Sequence, residues 1–213
     1  MLSGEKTKPL VHVVDDDASM RSALADLFDS VGLQTQTYAT AEDFLSAGRA
    51  DRPGCIVLDV RLPDVNGLEF QGRLSQIGVG MPVVMITGFG DIAMSVRAMK
   101  HGAVDFLPKP FRDQDMLDAV ITAIERDRQR RSSEYDLSQL EERYKALSRR
   151  EREIMWHVTA GKMNKQVASD LGISEITVKI HRGAVMHKMM AHSYAELVRM
   201  ADALKASCSN PRG

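Results

Sequence analysis

Val13-Val14-Asp15-Asp16-Asp17 ends an apolar run that begins at Leu10, and three later segments are built alike: Ile56-Val57-Leu58-Asp59, Ile86-Thr87-Gly88 and Leu107-Pro108-Lys109-Pro110. Each closes a stretch of strand length with an acid, a hydroxyl or an amine. Strands as apolar as these are buried on both faces, the signature of a parallel sheet. The C-terminal ends of parallel strands share one edge, where open α/β folds bind their ligands. Carboxylates, one lysine and one threonine gathered at that edge suit a divalent cation and a phosphoryl group.

Working outward, the same strand-then-helix unit recurs five times. Residues 10–15 precede an amphipathic helix over about 18–31, with Met20, Leu24, Leu27, Phe28 and Val31 at helical spacing, Asp17 either capping it or facing solvent, and Gly32 as its stop. Residues 33–38 then pair with a helix over 41–47, 55–60 with 68–77, 83–87 with 92–101, and 104–107 with 116–124. Right-handed crossovers place the helices on both faces, so this order predicts an α/β doubly wound, five-stranded parallel sheet within residues 1–124. Leu33-Gln34-Thr35-Gln36-Thr37-Tyr38 alternates apolar and polar, which predicts an edge strand.

Charge divides the chain in two. The formal net charge is -1, yet residues 1–125 hold 11 Lys/Arg against 18 Asp/Glu, while residues 126–213 hold 17 against 11. An acidic module joined to a basic one points to a polyanion as partner of the second half. Cys55 lies in an apolar run and Cys208 in a polar tail, which does not suggest a disulfide framework. Residues 1–9 lack an apolar signal core, and no run approaches the roughly 18 apolar residues needed to cross a bilayer. A cytoplasmic protein without membrane contact is expected.

Residues 125–147 read as a largely helical linker. The chain is highly charged from Glu125 to Arg131, and after Ser132-Ser133 an apolar seam of Leu137, Leu140, Tyr144 and Leu147 appears. That seam fits a short coiled coil between two chains or packing against its own domain equally well. Beyond it, residues 148–213 read as an all-α, four-helix domain with a polar tail. Ser148 and Glu151 form a capping box for a helix running to about Thr159, and Asn164 opens a second helix that ends near Gly172. Ser174 caps a third helix to about Met190, and Ser193 a fourth through Leu204. The second and third make a helix-turn-helix.

On a wheel, Val178, Val185 and Met189 of the third helix form a core line, with Ile176, Lys179, Ile180, Gly183 and His187 opposite. Two isoleucines beside a lysine suit a major groove, where thymine methyls offer apolar contact and guanine edges accept from Lys. Gly183 costs about 1 kcal/mol relative to Ala inside a helix. His181 and His187 point to different sides and do not suggest a metal site. Trp156 reads as core.

Residues 10 to about 124, through the four segments quoted first, resemble the receiver domain of bacterial two-component response regulators, a flavodoxin-like fold. Residues 148–204, through Leu147-Ser148-Arg149-Arg150-Glu151, Asn164-Lys165-Gln166-Val167-Ala168 and Ile176-Thr177-Val178-Lys179-Ile180-His181-Arg182, resemble the LuxR-type output domain. Together they resemble the NarL/FixJ family, on the FixJ-like side. The resemblance implies Asp59 as phosphoacceptor and one Mg²⁺ held by Asp16, Asp59 and the backbone carbonyl of Arg61, with Asp15 acting through water. It also implies Thr87 as switch hydroxyl, Lys109 as phosphate-pairing amine on a cis Lys109-Pro110 bond, and Phe106 as the aromatic switch. Arg61 and Phe89 would line the mouth where water enters. On the DNA side it implies Lys179, Ile180 and Gly183 at the bases, and Asn164, Lys165, Thr177 and Lys188 near phosphates, with Arg182 at the core edge. The partners implied are a cognate sensor histidine kinase, double-stranded promoter DNA and a second copy on phosphorylation, with RNA polymerase a further candidate.

Two other classes remain open at the level of the residues. One is a phosphatase with an aspartyl nucleophile, of the haloacid dehalogenase type; that chemistry wants a second Asp two residues after the nucleophile, where Arg61 stands. The other is a receiver-like binding module that works without phosphorylation. The first reading makes the chain a phosphoryl acceptor rather than a turnover enzyme.

Overall fold

The computed structural model describes residues 8–48, 51–88 and 92–209. The chain divides into two compact units, Met1–Arg131 and Ser132–Gly213.

The first unit is built on β1 (Leu10–Val14), β2 (Gln34–Tyr38), β3 (Gly54–Asp59), β4 (Val83–Thr87) and β5 (Asp105–Pro108), all parallel, in the order β2-β1-β3-β4-β5. β2 is an edge strand, as its alternation predicts, and β5 is the other. The edge position of β5 explains why its residues are only partly buried while β1, β3 and β4 are buried throughout. Successive side chains of a strand face opposite ways. Val14, Ile56, Leu58 and Met85 therefore enter one apolar layer with Phe44 and Phe70, and Val11, Val13, Val57 and Ile86 enter the other with Phe28, Met116 and Val120.

Five helices flank the sheet: α1 (Ala18–Ser30), α2 (Ala41–Ser46), α3 (Gly67–Gln76), α4 (Ile92–Lys100) and α5 (Asp113–Lys145). Asp17 caps α1, its carboxylate accepting from the N–H of Ser19 and Met20; Thr40 and Asn66 cap α2 and α3 in the same way. Helix α5 departs from expectation, because the fifth helix does not stop at 124 before a separate linker. It continues through Ser132-Ser133 to Lys145. No Gly or Pro stands between Phe111 and Ala160, and Glu, Arg, Gln and Leu dominate the stretch, so nothing interrupts the ladder.

The second unit contains α6 (Arg149–Thr159), α7 (Asn164–Leu171), α8 (Glu175–Met189) and α9 (Tyr194–Ser209). Its core joins Ile154, Val158, Val167, Val178, Val185, Met189, Leu197 and Leu204 with Leu140 and Leu147 of the seam. The seam thus packs within its own unit rather than lying open for a coiled coil. The Ser148–Glu151 capping box is present, and Gly172 ends α7 at φ 65°, where a side chain would be strained. α9 runs five residues past Leu204, since Lys205-Ala206-Ser207-Cys208 holds no breaker. Trp156 is only partly buried; its Nε1–H donates to the Tyr144 hydroxyl at 2.9 Å. Among the described residues, no helix is long and apolar enough to cross a membrane.

Candidate functional site

Register fixes where the polar strand ends fall. Val14 of β1 lies beside Leu58 of β3, Asp59 beside Ile86 of β4, and Thr87 beside Pro108 of β5. Asp15, Asp59, Thr87 and Lys109 therefore emerge at one edge. Asp15 and Thr87 are buried, Asp59 nearly so, and Asp16 is exposed. Oxygens of Asp15, Asp16 and Asp59 all lie within 4.8 Å of one another.

Lys109 joins the two buried acids. Its Nζ lies 2.7 Å from Asp15 Oδ2 and 2.6 Å from Asp59 Oδ2. The remaining oxygens are held by backbone: Asp17 N–H donates to Asp15 Oδ1 at 2.8 Å and Arg61 N–H to Asp59 Oδ1 at 3.0 Å. Burial raises the pKa of Asp15, against the opposing hydrogen bond from Lys109. Burial alone would lower Lys109, but its bonds to Asp15 and Asp59 outweigh this and raise it, so the amine stays charged. The Lys109-Pro110 peptide is cis, and Lys109 N–H donates to Thr87 O at 2.7 Å.

Phe106 is placed differently from the acids. It is half-buried against the layer that contains Val14 and Met85. Arg61 is exposed, and its backbone forms an isolated bridge with Asn66. Phe89 lies outside the described residues.

Two residues at this edge escaped the sequence reading. Arg21, one turn after Asp17, donates to the carbonyls of Asp15 at 2.7 Å and Asp16 at 2.9 Å, which fixes the acidic loop. Gly67 starts α3 directly against Asp59: a Cβ there would stand 2.2 Å from the Asp59 carbonyl oxygen. Its only signal was a glycine at a helix start.

In the second unit, α7, the Gly172 turn and α8 form the helix-turn-helix. Val178, Val185 and Met189 are fully buried, whereas Ile176 and Ile180 are 70% and 67% exposed. Lys165, Lys179 and Gly183 are exposed as well. Thr177 N–H donates to the capping Ser174 Oγ at 3.1 Å, and Asn164 Oδ1 accepts from Arg182 at 3.3 Å. The Arg182 guanidinium also lies 5.2 Å from the Tyr194 ring centroid, a packing role. Lys188 has a duty the sequence did not show, because its ammonium sits 2.7 Å from the buried Glu151 carboxylate.

Residues 11–121 match the response regulator receiver domain model, and residues 145–201 match the luxR family of bacterial regulatory proteins. Nodulation protein W of Bradyrhizobium diazoefficiens is 51% identical over 204 residues, which cover 96% of this chain and 90% of that protein. The transcriptional regulatory protein FixJ of Rhizobium meliloti is 41% identical over 191 residues, 90% of this chain and 94% of that one. The chain is a NarL/FixJ-type response regulator. Among solved structures, the response regulator StyR superposes at a TM-score of 0.81 with 44% identity, over 92% of this response regulator and 98% of that chain.

Proposed function

We propose that this response regulator takes a phosphoryl group onto Asp59 from a sensor histidine kinase and, so modified, binds promoter DNA through α8 as a dimer. The observation that carries the reading is the Lys109 ammonium held between Asp15 and Asp59 at one sheet edge. Attack by a carboxylate on a phosphoryl group sets two anions against each other, so cationic charge must already be in place. Lys109 supplies one charge in position.

Three carboxylates within 4.8 Å form a hard oxygen donor set that fits Mg²⁺. Asp16, Asp59 and the Arg61 carbonyl would hold the ion, with Asp15 reached through water. Bound there, it supplies further neutralisation of the phosphoryl charge. An Asp59 carboxylate oxygen forms the new bond to phosphorus as the donor's P–N bond breaks, its electron pair returning to the histidine nitrogen. The Thr87 hydroxyl then bonds the new phosphate oxygens, and Phe106 turns inward to the space this leaves. One acyl phosphate per chain is a signal rather than a turnover, and Arg61 where a phosphatase wants its second Asp agrees with that.

Lys165 and Lys179 are exposed on the helix-turn-helix, with Asn164 and Thr177 partly exposed, in a region of 11 basic and 6 acidic residues over 148–213. One short recognition helix reads few base pairs, so a two-fold site for two copies follows. RNA polymerase is the natural further partner at a promoter.

The test is labelling with radioactive acetyl phosphate, with Mg²⁺ or EDTA, for wild type and Asp59→Asn, followed by promoter footprinting. Up to one label per wild-type chain is expected, dependent on Mg²⁺, with none on the variant and occupancy rising only when label is present. Label retained on Asp59→Asn, or occupancy indifferent to it, would overturn the proposal.

A further inference from the structure

We infer that Ile176 is a base-reading residue which, paired with Ile180, detects thymine 5-methyl groups, so that the operator half-site carries a thymine-rich step beside a guanine facing Lys179. The inference rests on the DNA-binding reading above and names the sequence class that reading would require. Ile176 and Ile180 are 70% and 67% exposed on a helix whose other face is fully buried at Val178, Val185 and Met189. They stand one turn apart, which puts their Cβ atoms about 6 Å from each other. Bases along one strand rise about 3.4 Å per step, so the pair spans one or two steps.

The rest of the surface narrows the chemistry. Ser174 Oγ is already taken by Thr177, through its N–H at 3.1 Å and its hydroxyl at 2.8 Å, so these two hydroxyls are engaged with each other. Gly183 adds no side chain, and nothing lies within 4 Å of where its Cβ would stand, so packing within the chain does not demand a glycine. Among positions 176, 179, 180 and 183, only Lys179 brings a hydrogen-bonding group, and among the described residues no carboxylate pairs with it. Apolar contact therefore carries the larger share of the reading. In the major groove the apolar feature of a base pair is the thymine methyl. A docking protein is the poorer occupant, because a lysine stands between the two isoleucines in a unit of net positive charge.

The experiment uses the full chain, phosphorylated with acetyl phosphate and Mg²⁺, on a footprinted promoter duplex in which single thymines are replaced by deoxyuridine. This removes one methyl group and nothing else. Affinity is expected to fall about fourfold at each of one or two positions, the effect of one buried methyl. Ile176→Ala and Ile180→Ala should each weaken binding and erase the thymine-to-uracil difference at its own position alone. Both sites are exposed, so the melting temperature should not move. The inference fails if no thymine responds, or if the variants weaken methylated and unmethylated duplexes alike while salt-sensitive binding persists. Absence of DNA binding at every salt concentration would instead bring down the DNA-binding reading and this inference with it.

Discussion

Asp127 of α5 and Gly54 of β3 are joined by a buried hydrogen bond, the Gly54 N–H donating to Asp127 Oδ2 at 3.0 Å. β3 is thus held by α5 at its entrance and carries Asp59 at its exit. Asp127 is fully buried and is neutralised by Arg130, at 2.6 Å from Oδ1, and by Arg131, at 2.8 Å from Oδ2. Arg131 reaches on to Asp51 at 2.7 Å. The same charge, after burial, pushes the thiol of neighbouring Cys55 up, which leaves it inert.

Asp127→Ala leaves the Gly54 N–H without its acceptor and takes away the buried anion that Arg130 and Arg131 share. A loss of about 3 kcal/mol is expected in urea denaturation. Asp127→Asn keeps an acceptor for Gly54 and should lose less. Equal midpoints for Asp127→Ala and wild type would show that the cluster stabilises nothing.

Two glycines of α3 make a matched pair. A Cβ on Gly67 would stand 2.2 Å from Asp59 O and 2.9 Å from Val60 Cα, whereas nothing lies within 4 Å of one on Gly72. Gly67→Ala must push the Asp59 loop away, at about 2 kcal/mol of stability. Displacement of the acceptor by an ångström would slow labelling by acetyl phosphate roughly a hundredfold. Gly72→Ala, in the same helix, should gain about 0.5 kcal/mol and label normally. The contrast separates close approach from helix propensity.

Asp15, Asp59, Thr87 and Lys109 were legible because each ends an apolar run, and parallel pairing turns four distant run-ends into one edge. Arg21 was not, since its contact with the carbonyls of Asp15 and Asp16 depends on where a long side chain reaches back. Asp127 was hidden by its neighbours: residues 125–131 look like a solvated charge run. A signal existed, for Met116, Val120, Ala123 and Ile124 form a buried stripe whose next step is residue 127. Residues 125–147 read as a largely helical linker; that its helix is continuous with the fifth one was not legible, because Ser132-Ser133 interrupts the apolar pattern while propensity on both sides is high enough to carry the helix. The resemblance alone puts Lys188 near phosphates, and its tie to Glu151 exists only once α6 and α8 are packed.

His12 makes stability depend on pH. Its ring packs on Tyr38 and Phe44 at centroid distances of 5.8 and 5.4 Å, fully within the sheet layer. Tyr38 Oη donates to Gln36 at 3.0 Å and so accepts from His12 Nδ1 at 3.1 Å, which assigns the proton of the neutral ring to Nδ1. Burial, then the Arg52 charge, lowers its pKa from 6.5 to about 4. The unfolded ring takes up a proton near pH 6.5 while the folded ring refuses it until about 4. The favourable contribution is therefore complete above pH 6.5 and is lost as pH falls toward 4. His12→Gln does not titrate, so the lead of wild type over it in urea should shrink by roughly 2–3 kcal/mol between pH 7.5 and pH 4.5. A constant lead would mean that another group governs the slope.

Glu151 holds two partners with one oxygen, accepting from the Ser148 N–H and from Lys188, each at 2.7 Å. The Lys188 bond, opposed by burial, keeps its carboxyl below the usual range, so its contribution is present above the unfolded pKa and lost as pH falls through the folded one. Glu151→Gln retains an oxygen for Ser148 but no charge. It should lower stability by about 1 kcal/mol and release the Lys188 ammonium toward the DNA backbone. The slope of log affinity against log salt would then steepen by about 0.9, one phosphate contact. Lys188→Ala in the wild-type background should leave that slope unchanged, because there the ammonium is engaged within the fold. A shallower slope for Lys188→Ala would show the opposite: Lys188 leaves Glu151 when DNA arrives and contacts a phosphate itself.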